Sequence, residues 1–106
     1  MGNRRRVATE AGQEMKVQLL VSETCEPCDQ AQLIWREVAD ERVLDFSVVD
    51  LADAEGRELA ERLRIRTIPA LVVDGKLIAI GVQSPDEART LVARAPLREG
   101  LPNRKT

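Results

Sequence analysis

The sequence predicts an α/β domain in the order β-α-β-α-β-β-α, a four-stranded mixed sheet with helices on both faces. Three observations carry this. A short apolar run at Val17–Val21 is followed by apolar residues at three- and four-residue spacing, a strand feeding a helix. The same alternation returns once over 43–64. Asp74-Gly75 then stands between two apolar runs, which is a strong short-range hairpin signal. A strand–helix–strand crossover makes its strands parallel, and a hairpin makes them antiparallel, so the sheet is mixed.

At 106 residues the chain has room for one domain with a modest core. Trp35 and Phe46 are its only aromatic residues, so Leu, Val, Ile and Ala must build that core. The formal charge of −2 offers no electrostatic case for nucleic acid or an anionic membrane. There is no histidine, which removes imidazole bases and imidazole metal ligands. The basic start, Arg4–Arg6, has no apolar stretch after it, so it reads as neither a secretory nor a twin-arginine signal. No apolar run is long enough to span a bilayer. A monomer in the cytoplasm is expected. In that compartment two closely spaced cysteines are redox-active or metal-binding, not a permanent staple.

Residues 1–14 are polar and aperiodic, expected as a flexible tail before a domain over 15–95. Lys16–Val21 is the first strand, nearly continuous in apolar residues and so suited to burial on both faces. Thr24 or Ser22 is expected to cap a helix from Glu26 to Asp40. Pro27 suits its first turn, and Ala31, Ile34, Trp35, Val38 and Ala39 form one apolar stripe. Trp35 is expected to pack in the core.

Val43–Leu51 is the second strand, with Asp50 expected to meet a loop or cap at its end. Asp53–Arg64 is a helix with a charged outer face, slightly weakened by Gly56. Pro69 opens the third strand, Lys76–Ile80 is the returning one, and Gly81 ends it. Ser84-Pro85-Asp86-Glu87 is a capping box opening a helix expected to run to Ala95, where Pro96 stops it. Residues 96–106 are expected to be a second flexible tail.

The chemistry-bearing stretch is Ser22-Glu23-Thr24-Cys25-Glu26-Pro27-Cys28, which holds both cysteines of the chain. A helix starting near Glu26 leaves Cys25 at its mouth and Cys28 in its first turn. Unpaired backbone N–H groups and the helix dipole then favour a Cys25 thiolate, opposed weakly by Glu23 and Glu26. Two sulfurs so spaced support dithiol–disulfide exchange, with Cys25 as nucleophile and Cys28 as the resolving thiol. As a staple the pair would close too short a loop to constrain the unfolded chain much. As a zinc site it lacks two ligands, unless two chains share four thiolates.

Cys-x-Pro-Cys at a strand–helix junction, then Ile65-Arg-Thr-Ile-Pro69-Ala-Leu, the Asp74-Gly75 hairpin and Gly81, together resemble the thioredoxin superfamily over residues 15–95, most closely its small thioredoxin- and glutaredoxin-like members. The resemblance implies a thioredoxin-like fold, a cis peptide before Pro69, and an Ile68 backbone able to pair with an extended partner segment. It implies Cys25 and Cys28 as catalytic residues and Thr24, Glu26, Pro27, Thr67, Ile68, Pro69 and Gly81 as the partner-binding surface. It implies protein disulfides as substrates, no cofactor beyond the redox-active pair itself, and a reductase or glutathione as electron donor.

The chain also departs from the family. Thr24 stands where thioredoxins usually have Trp, and Leu19 where they usually bury an Asp associated with proton transfer. Against glutaredoxins, Glu26 and Pro27 replace a motif aromatic, and Gly81 with a displaced Asp86-Glu87 replaces the Gly-Gly and Asp signature. Thr67 before Ile68-Pro69 is glutaredoxin-like. Three readings therefore stand: a protein-disulfide reductase, a glutathione-dependent glutaredoxin-like enzyme with Gly81–Glu87 as the glutathione region, and a redox-sensing or metal-carrying dithiol protein with little turnover.

Overall fold

The structure is a computed structural model that describes residues 14–98. The expected tails fall mostly outside those residues. The elements are β1 (Met15–Val21), α1 (Glu26–Glu41), β2 (Leu44–Asp50), α2 (Ala54–Leu63), β3 (Ala70–Val73), β4 (Lys76–Ile80) and α3 (Pro85–Leu91). The sheet order is β2-β1-β3-β4. β1 runs parallel to β2 and antiparallel to β3, and β3 pairs antiparallel with β4, as the crossover and hairpin arguments require.

Successive side chains of β1 point to opposite faces, and each face has its own helical cover. Val17, Leu19 and Val21 pack with Leu71 and Val73 against Cys28, Ala31, Trp35 and Val38 of α1 and against Ala88, Val92 and Ala95. Leu20, Val49 and Ala70 form a smaller cluster on the other face with Ala60, Ile65 and Ile68. Fully burying an aliphatic side chain of this size contributes roughly 1.5–3 kcal/mol, so the larger face dominates stability.

Both residues of the hairpin turn take left-handed backbone, Asp74 with φ 50° and Gly75 with φ 83°. That is the twist-matched turn that an Asp-Gly pair favours. Asp74 also joins the hairpin to the strand beside it: its Oδ1 accepts from the Lys16 N–H at 2.9 Å, and its own N–H donates to Lys16 O at 2.8 Å.

Gly56 has a positive reason to be there. A Cβ at this position would run into the Asp50 carbonyl, so the residue lets α2 lie against the end of β2. Asp50 does meet a loop, its carboxylate accepting from the Ala52 N–H at 2.8 Å.

The last helix differs from expectation. It ends at Leu91, not Ala95, and the chain continues in tighter i→i−3 turns, with the Ala93 N–H on Thr90 O and the Ala95 N–H on Val92 O. The reason lies across the fold. Arg42 Nη1 donates to Ala95 O at 2.6 Å and to Ala93 O at 3.3 Å, satisfying carbonyls that lie past the end of the helix. Val92 and Ala95 stay buried.

Pro96–Arg98, expected in the second tail, are tied to the α1–β2 junction. The Val43 N–H donates to Pro96 O, the Arg98 N–H to Glu41 O, and Arg42 bridges Leu97 antiparallel. Arg89 forks onto both Glu41 oxygens at 3.0 Å, and this carboxylate raises the guanidinium pKa above its ordinary value.

Candidate active site

β1 delivers the chain to the mouth of α1, and the cap there is Cys25 itself, not the expected Thr24 or Ser22. Its backbone is extended (φ −116°, ψ 104°), and its Sγ takes the capping position by accepting from the Cys28 N–H at 3.1 Å. Cys25 and Cys28 are joined as a disulfide with Cα atoms 5.2 Å apart. The two sulfurs differ in access: Cys25 is half-buried, whereas Cys28 is fully enclosed. Glu26 and Asp29 lie in the first turn of the helix and Glu23 is exposed beside it, so the helix side of the pair is acidic.

Beneath the pair the protein is apolar. Leu19 is completely buried in the cluster that contains Cys28 and touches Cys25 and Ile68. Where thioredoxins usually bury a carboxylate, this chain has hydrocarbon.

The Ile68–Pro69 peptide is cis. Ile68 packs in the same cluster as Cys25, so the turn before β3 and the mouth of α1 form one surface. Among the described residues no backbone partner is found for the Ile68 N–H or C=O. Pro69 is buried, and its carbonyl accepts from the Gly81 N–H at 2.7 Å. Gly81 has φ +89° and open space above it, so the backbone there is strained for any other residue while remaining accessible. Thr24, Glu26, Pro27 and Thr67 are exposed.

One pair of residues was not singled out by the sequence. The buried Trp35 Nε1–H donates to Gln83 Oε1 at 3.1 Å, and Gln83 Nε2 donates to Gly81 O at 3.1 Å. Trp35 is in the core as expected, but a Gln three residues beyond a strand end carries no sequence signal of burial. At α3 the capping box forms in full: the Glu87 N–H donates to Ser84 Oγ and the Ser84 N–H to Glu87 Oε1. Among the described residues no three His, Cys, Asp or Glu side chains converge as a metal site. No described helix is long and apolar enough to cross a membrane.

Comparison with known proteins agrees with this geometry. Residues 15–93 match the family described as "Thioredoxin domain". A probable thioredoxin of Archaeoglobus fulgidus is 34% identical over 79 residues, covering 74% of this chain and 86% of the relative. The fold is similar to that of Schistosoma mansoni thioredoxin (TM-score 0.66, 17% identity, 83% of this chain and 85% of that one). It is also similar to that of oxidised Plasmodium falciparum thioredoxin (TM-score 0.60, 16% identity, 88% and 91%). With its Cys25–Cys28 redox pair at the head of α1, the chain belongs to the thioredoxin family.

Proposed function

We propose that the protein reduces disulfides in partner proteins by dithiol exchange. The observation that carries this reading is the asymmetry of the pair: Cys25 is reachable and Cys28 is enclosed, beside a turn whose Ile68 backbone is open for pairing.

In the reduced protein the Cys25 thiolate attacks one sulfur of the partner's disulfide. A Cys25–partner bond forms, the partner's S–S bond breaks, and the departing partner thiolate takes a proton. The Cys28 thiol then loses its proton and attacks Cys25 Sγ, releasing the second partner sulfur as a thiolate. Two electrons pass to the partner, and Cys25–Cys28 becomes the disulfide seen here. With Leu19 beneath the pair, no buried carboxylate among the described residues is at hand for the Cys28 proton, so water, Glu26 or the leaving thiolate takes it.

The backbone of Ile68 holds the partner segment as a short extended strand, and Thr24, Glu26, Pro27, Thr67 and Gly81 line its approach. The acidic helix side of the pair favours partners with basic residues near the target disulfide. A dithiol reductase restores the reduced state. The glutathione reading is weaker because the start of α3 is already filled: both the Ser84 and Glu87 amides are taken by the capping box.

The test is to offer the oxidised protein NADPH with thioredoxin reductase, or NADPH with glutathione and glutathione reductase, and to follow insulin reduction. Turnover with the first system supports the proposal. Turnover with glutathione alone transfers the site to a glutaredoxin role. Turnover with neither leaves a redox-sensing or metal-carrying dithiol as the better account.

A further inference from the structure

We infer that Gln83 and Trp35 are positioning residues for partner docking, holding the Ile68–Pro69 turn at its working distance from the cysteine helix. This rests on the dithiol-exchange reading above. Gln83 and Gln18 are the two buried uncharged polar residues of the described chain. Burying an amide is costly unless both ends are bonded. Both ends of Gln83 are: Oε1 accepts from Trp35 Nε1, and Nε2 donates to Gly81 O. The Gly81 N–H in turn donates to Pro69 O at 2.7 Å.

A continuous hydrogen-bonded link thus runs from Trp35 through Gln83 and Gly81 to Pro69. One end lies on α1, two turns along the same buried face from Cys28. The other ends one residue from Ile68, whose backbone offers the pairing edge for the partner. A partner must bond Ile68 and present its sulfur to Cys25 at once, so the spacing between turn and helix decides how well it docks. A small disulfide that pairs with no backbone has no such requirement.

The test uses the full chain with Gln83→Met, which keeps length and apolar volume but breaks both bonds, and with Trp35→Phe, which removes the donor alone. For Gln83→Met the KM for insulin rises about tenfold with kcat within about twofold, since both bonds of the link are lost. The rate with a small aromatic disulfide, Ellman's reagent, stays within about twofold of the parent. The double variant is no worse than Gln83→Met, because the two residues act through one bond. If Gln83→Met does not fold, Trp35→Phe carries the same comparison.

An insulin KM unchanged in the folded variant overturns the inference, as does an equal fall with insulin and Ellman's reagent. Hydrogen exchange gives a readout independent of activity. The Gly81 amide exchanges about tenfold faster in Gln83→Met while the β1 amides are unchanged. No change at Gly81 sinks the link. A parent protein that fails to reduce insulin sinks the function instead, with the exchange result still deciding the link.

Discussion

The amide of Cys28 donates to Cys25 Sγ at 3.1 Å, and the same N–H reaches Cys25 O at 3.1 Å. A sulfur that caps its own helix in this way gains more as a thiolate than as a thiol, because hydrogen bonds to a charged acceptor are roughly twice as strong as neutral ones. On the proposed reading, the accessible cysteine is therefore also the activated one.

That division of labour predicts different outcomes for the two serine variants. Cys25→Ser loses insulin reduction entirely. Cys28→Ser retains the first attack and stops at the mixed disulfide. Non-reducing electrophoresis with an excess of oxidised partner checks this, and a stable adduct with Cys25→Ser instead would reverse the assignment.

Glu26→Lys tests the electrostatics at the head of α1. Exchanging an exposed negative charge for a positive one lowers the Cys25 pKa. Two unit charges at 4 Å in water interact by about 1 kcal/mol and the exchange changes the charge by two units, so the thiolate fraction below the pKa rises by at most about thirtyfold. Titrating alkylation rate against pH reads this directly, and the difference shrinks at high salt.

Gly56→Ala should destabilise the protein although alanine is the better helix former. Propensity gains about 1 kcal/mol, whereas driving a Cβ against the backbone at Asp50 costs on the order of 1–3 kcal/mol and shifts α2. Urea unfolding gives the sign. A stabilised variant would mean that α2 moves off β2 without cost.

Arg42→Leu removes the guanidinium that holds Ala93 O and Ala95 O. Loss of these charge-assisted bonds costs roughly 1.5–3 kcal/mol. Arg42→Lys recovers only part of it, because the shorter, more strongly hydrated ammonium does not reproduce the placing of Nη1 between the two carbonyls. The midpoints of chemical denaturation should rank the parent above Lys and Lys above Leu.

Most of the fold was legible in the sequence because its signals are local. Strand and helix periods, the Asp74-Gly75 turn, the Ser84–Glu87 capping box and the placing of Cys25 and Cys28 around a helix start each depend on residues a few positions apart. Backbone preference and nearest-neighbour capping decide such features before any long-range contact forms. The order of elements and the parallel and antiparallel pairings follow from them.

What needed the folded chain was set by contacts between distant residues. Trp35 meets Gln83 across 48 positions, and Arg42 reaches Ala95 across 53. The first makes an expected core aromatic one end of a link to the Ile68–Pro69 turn, and the second accompanies an α3 that ends at Leu91. Gly56 changed meaning, from a weak helix residue to a required one, because of where β2 ends. Such pairings depend on how helices settle on the sheet, which is a property of the packed core and has no signature in any short stretch of sequence. The elements and the redox pair were thus written in local chemistry, while the geometry around the pair was decided by packing.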